Sequence, residues 1–332
     1  MADNYEINTV IIGGGISGLL MGYVLKEYDY TILEQASESS IITGAPFYLH
    51  KPIDWLPTKW KRIEVHKNCW DGKWFVRTPN IGHMNDYARK ITGKIHDTSL
   101  KFMDGGIEEG YLPVGGNSSR VIKDLLDANE RHVQYSCRVT EILPAKKVIK
   151  LNKEDKEYTI HYSNLISTIP LPVLLRMLNL EIDFTFKADP ILTSAYKVTE
   201  NEAVDAYQII YVTTPKLKPY RVSLMHNTIF VEAMVPMDED ENRNLIKMVW
   251  GFENPKHIET KSVSPGKFHP IERNKRKILL ARLTSDYGIY CIGRYAVWAY
   301  KRLDHLADDA MELVKIIRDN SSNILRSGTA NV

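Results

Sequence analysis

Val10-Ile11-Ile12-Gly13-Gly14-Gly15-Ile16-Ser17-Gly18-Leu19, followed by Tyr30-Thr31-Ile32-Leu33-Glu34, is the stretch that decides the fold. An apolar, β-branched run from Asn8 to Ile12 reads as a buried parallel strand. Gly13, Gly15 and Gly18 then form a G-x-G-x-x-G turn, an apolar helical pattern follows through Leu19, Leu20, Tyr23, Val24 and Leu25, and an acid closes the next strand. This is the full context that a dinucleotide-binding βαβ unit requires. Gly13 permits the tight turn, Gly15 lets the backbone approach a pyrophosphate, and Gly18 lets the helix pack close to the sheet. The helix aims its free amides and positive dipole end at the phosphates. Glu34, about 20 residues beyond the first glycine, is placed to accept hydrogen bonds from a ribose and would repel a 2′-phosphate.

The chain has 332 residues, which suggests two domains or one large domain with an insertion. Hydrophobic residues make up 44% and charged residues 25%, an ordinary globular balance, and the net charge of +2 gives no overall pull toward nucleic acid or membrane. Cys69, Cys137 and Cys291 are odd in number and far apart, which argues against a disulfide framework and for a reducing compartment. No Cys-x-x-Cys or His/Cys cluster points to a metal. The start of the chain is acidic and polar, unlike a signal peptide, and no apolar run reaches the roughly 18 residues of a membrane span. A soluble cytoplasmic protein is expected.

The stretch from Phe47 to Trp74 is dense in tryptophans and bases, contains Pro52 and Pro57, and reads as short strands and loops. Asn85 to Ile95 suggests a short helix. Gly110 to Asn117 reads as a glycine-rich turn with a helix starting at Ser118 or Ser119. Val133 to Ile142 alternates as a strand, and Lys147–Leu151 with Tyr158–Tyr162 suggests a hairpin. Leu165-Ile166-Ser167-Thr168-Ile169-Pro170 is a buried strand, with a helix opened by Pro172. Three or four strands are predicted among Ile191–Thr199, Ala206–Val212, Arg221–Leu224 and Thr228–Val235, then a helix around Leu245–Val249. Arg273–Lys277 is basic. Ile289–Arg294 reads as strand and turn. A last helix from about Leu303 to Arg318 has one apolar face, acids near its start and bases near its end.

Four separated segments together resemble the flavoprotein superfamily of amine oxidases, protoporphyrinogen oxidases, phytoene desaturases and UDP-galactopyranose mutases. They are Ile11–Glu34; Tyr111-Leu112-Pro113-Val114-Gly115-Gly116; Val133–Leu175, with Val139-Thr140-Glu141-Ile142 and the Ile-Ser-Thr-Ile-Pro strand; and Ile292-Gly293-Arg294-Tyr295-Ala296-Val297-Trp298-Ala299-Tyr300. The resemblance implies an α/β fold: a Rossmann-like FAD-binding domain of residues 1–48, 106–172 and 285–332. An α+β substrate domain of residues 49–105 and 173–284, on a mainly antiparallel sheet, is inserted into it. It implies FAD held at the pyrophosphate by Gly13, Gly15, Ile16, Ser17 and Gly18 and at the adenosine ribose by Glu34 with Gln35. Val139 would meet the adenine, Thr168 the pyrophosphate, and Gly293 and Arg294 the pyrophosphate and ribityl. Amides at Arg302 and Leu303 would face the flavin N1/C2 carbonyl, where a helix N-terminus stabilises negative charge. Gly44 stands either where the family has a Gly-Gly pair after the acid, or at the head of a Gly-x-His-x-x-His-like segment that ends at His50.

The flavin would carry the chemistry, and the protein its orientation and electrostatics. The resemblance places Tyr300 at the substrate site; Trp298, two residues earlier, would share its face in an extended segment and is a candidate site wall, with a core tryptophan the favoured reading. Arg221, in Tyr220-Arg221-Val222-Ser223, resembles the mutases' substrate-binding arginine, and a guanidinium suits a carboxylate or phosphate. His50 is a candidate proton-transfer group. Bases interleaved with aromatics from Trp55 to Arg77 would suit a polynucleotide surface, but buried tryptophans with solvated lysines are the favoured reading. The first expectation is an FAD-dependent oxidoreductase moving a hydride from an amine-bearing or similarly activated carbon to flavin N5. The alternatives are a mutase or lyase without net redox change, acting on a sugar nucleotide or on an amino-acid-decorated nucleotide in DNA, and a non-catalytic flavin-binding protein.

Overall fold

The computed structural model describes residues 3–38, 47–92, 106–115, 119–199 and 204–328. The chain runs β1 (Asp3–Ile12), α1 (Ile16–Val24), β2 (Tyr30–Leu33), β3 (Trp60–Trp70), β4 (Phe75–Val76), α2 (Ile81–Thr92), β5 (Gly106–Pro113), α3 (Ser119–Asn129), β6 (Val133–Gln134), β7 (Arg138–Leu143), β8 (Val148–Lys153) and β9 (Lys156–Ser167). It continues as α4 (Leu171–Met177), β10 (Ala188–Lys197), β11 (Val204–Val212), β12 (Arg221–His226), β13 (Thr228–Ala233), α5 (Glu239–Trp250), β14 (Lys256–Phe268), α6 (Arg273–Ser285), β15 (Ile289–Cys291) and α7 (Leu303–Gly328). Two sheets organise these elements, in line with the α/β expectation of a Rossmann-like unit and a mainly antiparallel one.

The first sheet has the order β6-β2-β1-β9-β8-β7, with β15 also on β9. Its centre is parallel: β1 pairs with β2 and β9, and β15 with β9. Successive residues face opposite layers, as strand geometry requires. Ile11, Ile32 and Ile166 pack with α1, α3 and α7. Val10, Ile12, Leu33 and Leu165 pack instead with α4 and α6. Burial on both faces explains why these strands read as continuous apolar runs. Asn129 ties α1, α3 and β2 together inside the first layer. Its amide donates to the Leu19 and Leu125 carbonyls at 2.9 and 2.6 Å and accepts from the Tyr30 hydroxyl at 2.9 Å.

Several local expectations change here. β1 is longer than its apolar run, because its polar half, from Asp3, pairs with β9. The hairpin closes in two residues, Glu154 and Asp155, with φ of 51° and 61°, as in a type I′ turn. The strand beyond it runs unbroken to Ser167. Val133–Ile142 is not one strand, since Ser136 with φ 57° separates β6 from β7.

The second sheet has the order β14-β10-β13-β12-β11-β3-β4, with β5 on β3. Only the β11/β3 pairing is parallel. Within the tryptophan-rich stretch residues 47–59 are loop, as expected, and Trp60–Trp70 forms one long strand, β3; Gly106–Pro113 pairs with it, so that of the expected Gly110–Asn117 turn the described part is Val114–Gly115. Ile210, Val212, Val222, Leu224, Ile229 and Val231 form the back of the sheet and pack on Leu245, Ile246 and Val249 of α5. Asp238 starts α5 through a capping box with Glu241. The front face is different: register aligns Cys69, Tyr211, Arg221 and Glu232 across four strands. Apolar and strongly polar side chains therefore share one surface. Among the described residues, no helix is long and apolar enough to cross a membrane.

Candidate functional site

The glycine turn has the geometry its sequence implies. Gly13 has φ 104°, and a Cβ there would lie 2.5 Å from Thr168 Oγ1. A Cβ on Gly18 would meet the Gly13 carbonyl oxygen at 1.9 Å, whereas one on Gly15 would meet nothing within 4 Å. Close packing below and open space above are what a backbone cradle for a pyrophosphate needs. Ile16 packs on the core behind it. Glu34 is held in place from both sides: Gly14 N–H donates to Oε2 at 2.7 Å and Ala36 N–H to Oε1 at 2.8 Å. Each carboxylate oxygen keeps a free lone pair for a ribose hydroxyl. Gln35 is exposed on the bend beyond β2. The Cys137 amide donates to the Glu34 carbonyl at 2.8 Å, which brings the strand of Val139 beside this corner, with the Val139 side chain buried.

The C-terminal segment returns to the same place. Gly293 has φ 109°, and a Cβ there would lie 2.5 Å from Ser17 Oγ. Ile292 N–H donates to the Ser167 carbonyl at 3.0 Å. Leu303 is buried in the core, and the Arg302 guanidinium is bound by Asp304 at 3.1 Å and reaches His305 at 2.8 Å. Any cofactor contact at the start of α7 therefore falls to the backbone. Thr168 lies against the glycine turn, and its hydroxyl donates to the Ile12 and Gly13 carbonyls at 2.9 and 3.0 Å, which fastens the turn. Gly44 lies outside the described residues.

The front of the second sheet supplies a second group of side chains. Tyrosine rings line it in sequence of contact: Tyr48 with Tyr207 at 5.6 Å, Tyr211 with Tyr87 at 5.5 Å, and Tyr87 with Tyr220 at 6.4 Å. At one end, Glu108 accepts from Tyr48 at 2.5 Å and pairs with Lys67 at 2.6 Å, and His50 Nδ1 stands 3.9 Å away. Burial would raise the Glu108 carboxyl's pKa, but Lys67 and Tyr48 outweigh it and lower it. Burial and the nearby Arg302 lower His50, so the imidazole is neutral near pH 7.

At the other end, Arg221 pairs through Nε and Nη2 with the carboxylate of Glu232, which also accepts from Tyr220 at 3.0 Å. This revises the expectation for Arg221: its fork is occupied by a buried acid. Lys267 of β14 lies with Nζ 4.8 Å from the Tyr220 ring centroid. Burial, Arg221 and Arg294 lower its pKa to about 7. Arg294 lies over the rings of Phe268, Tyr295 and Tyr300 at 5.3, 5.7 and 4.9 Å. Its Nε and Nη2 are buried without a hydrogen-bond partner. Tyr300 joins this group, its ring 4.7 Å from Phe268.

Trp298 follows the core reading and not that of a site wall. It is 3% exposed, adopts φ 47°, packs on Phe186 and Phe268, and donates its indole N–H to the His269 carbonyl at 2.9 Å. The segment is not extended there, so Trp298 does not share a face with Tyr300, and it belongs to the core. Within Trp55–Arg77, Trp70 is buried, Trp60 donates to the Ile53 carbonyl at 3.2 Å, and Arg62 and Lys67 pair with Glu109 and Glu108. Trp74 is exposed.

The sequence reading did not find Glu108, Lys67, Glu232 or Lys267. Only Glu232 had a signal, as a carboxylate within an otherwise apolar strand.

The whole chain shares its fold with several solved structures. A provisional protoporphyrinogen oxidase from Exiguobacterium sp. 255-15 matches 96% of this chain and 99% of its own, at a TM-score of 0.65 and 11% identity. A CLA-producing fatty acid isomerase from P. acnes matches over 93% and 98%, at a TM-score of 0.59 and 14% identity. The p-nitrophenol 4-monooxygenase of Pseudomonas putida DLL-E4 matches over 96% and 82%, at 0.55 and 11% identity. No protein-family profile matches the chain, and neither does the sequence of any curated protein.

Proposed function

We propose that the chain is a flavin-dependent enzyme of the oxidoreductase type that binds FAD across the glycine turn and works on a small molecule at the front of the second sheet. The observation that carries this is the docking of Gly293 on Ser17, which joins the C-terminal segment to a dinucleotide cradle that Glu34 already completes. The fold's likeness to an oxidase, an isomerase and a monooxygenase supports the general class. Bound FAD would supply a hydride acceptor. The glycine turn and Glu34 would bind it, and the backbone at the start of α7 would favour negative charge. The finer reading is removal of a hydride from an amine-bearing or similarly activated carbon. His50, neutral near pH 7 and backed by Glu108, would accept the proton that leaves the substrate nitrogen.

Denaturing the purified protein should release free flavin, and amine-bearing candidates should bleach the bound flavin under anaerobic conditions. A colourless protein that fails to take up added FAD overturns the proposal. Turnover that needs prior reduction but consumes no reductant overturns its redox part.

A further inference from the structure

Three cations and one acid meet at the Tyr300 end of the second sheet. Arg221 and Glu232 compensate each other. Lys267 and Arg294 are left over, and Lys267 is within electrostatic reach of both arginines. Among the described residues no carboxylate pairs with either. Asp189, which stands opposite Lys267 in the β10/β14 register, is taken by His269 at 2.7 Å. Glu232 already serves both Arg221 and Tyr220. The two cationic groups are half-buried and neighbouring: Lys267 lies against Tyr220, Arg294 lies over Phe268, Tyr295 and Tyr300, and the Tyr295 hydroxyl donates to the carbonyl of Gly266, next to Lys267. Buried charges in proteins are paired, and a like-charged pair without a counter-ion is unfavourable unless a ligand supplies one.

Resting on the flavin-enzyme reading above, we propose that Lys267 and Arg294 form an anion subsite that binds a carboxylate or phosphate of the substrate, with the aromatic wall holding its apolar body. The Nη1 of Arg221, which Glu232 does not engage, adds a donor from the side. The amine-bearing carbon of the proposed reaction would then belong to an organic anion, such as an amino acid or amino-phosphate, and not to a simple cationic amine.

The test is calorimetric titration of the purified protein with sodium benzoate and, separately, with inorganic phosphate. At least one should bind, and Lys267→Met should weaken it by about tenfold or more, the worth of one charge-assisted hydrogen bond. Lys267→Arg keeps the charge and should stay within a few-fold of wild type, which separates a charge effect from misfolding. Preference for benzoate assigns a carboxylate, and preference for phosphate a phosphate ester. No binding of either anion, or equal binding by wild type and Lys267→Met, overturns the subsite. The two proposals fail separately: a yellow protein that binds neither anion loses only the subsite, and a flavin-free protein with Lys267-dependent benzoate binding loses only the flavin reading.

Discussion

At the residue scale, two positions carry the strongest physical demands. Gly293 combines a left-handed backbone with contact on Ser17. Gly293→Ala should lower stability by about 1–3 kcal/mol, as overpacking does, and should weaken FAD binding. Ser17→Ala removes the clashing hydroxyl, so the double variant should be less destabilised than the two single effects added together. Thermal melting of the four proteins decides this; strict additivity would mean that the two segments do not press on each other. Lys267 makes a pH prediction. In the free protein its pKa is about 7, lowered by burial and by Arg221 and Arg294 and opposed by Glu232, while Tyr220 lies beside its ammonium and Asp189, opposite it in the sheet register, is bound by His269. A bound anion favours the charged ammonium and raises that value. Benzoate binding should therefore take up almost no proton near pH 6 and nearly one near pH 8, with affinity falling as the pH rises above about 7. Titrations in buffers of different ionisation enthalpy measure the uptake directly, and none at either pH would exclude Lys267 as the anion's partner.

At the element scale, the β8–β9 turn is a place where sequence and backbone disagree. Glu154 and Asp155 both hold positive φ, which Asn and Gly tolerate far better in this turn type. Glu154→Asn with Asp155→Gly should stabilise the protein by about 0.5–1 kcal/mol, read from the denaturant midpoint at unchanged slope. The same mismatch explains why the turn looked longer in the sequence. Legibility follows burial pattern throughout. β1, β2, α1 and β15 were readable because both faces of a parallel sheet are buried and the glycines sit where only glycine fits. β14 was not, because most of Lys256–Ser264 is exposed on an edge strand and gives no alternation. The helix α6 opens with Arg273-Asn274-Lys275-Arg276-Lys277 and buries only Leu279 and Leu283, too few for a periodic stripe. The half of the site proposed for the cofactor lies in local motifs, so its glycine turn and Glu34 stand out in the sequence. The second half is assembled from β3, β5, β12, β13 and β14 by sheet register, which no local pattern reports.

At the scale of the whole molecule, the proposed cofactor site is built by the N-terminal turn, the β9 end and the C-terminal segment, so folding and binding are coupled. Ile292, Leu303, Leu306, Ala307, Ala310, Leu313 and Ile317 share one core with Leu19, Leu20 and Leu125. Burying side chains of this size is worth about 1.5–3 kcal/mol each for the larger ones, and their sum rivals the roughly 5–15 kcal/mol that holds a domain together. A chain ending at residue 288 should therefore lose cooperative unfolding and FAD binding together, and should not persist as a folded second sheet. The full chain should respond in the opposite direction. FAD that binds only the folded state stabilises it by about 2.7 kcal/mol at a hundredfold excess over Kd. Thermal melts across a range of FAD concentrations should show a midpoint that climbs with the logarithm of free FAD. Glu34→Ala removes the acceptor that Gly14 and Ala36 hold in place, so its curve should be displaced to higher FAD with the same slope. A midpoint insensitive to FAD in the flavin-stripped wild type would separate the glycine cradle from the cofactor proposed for it.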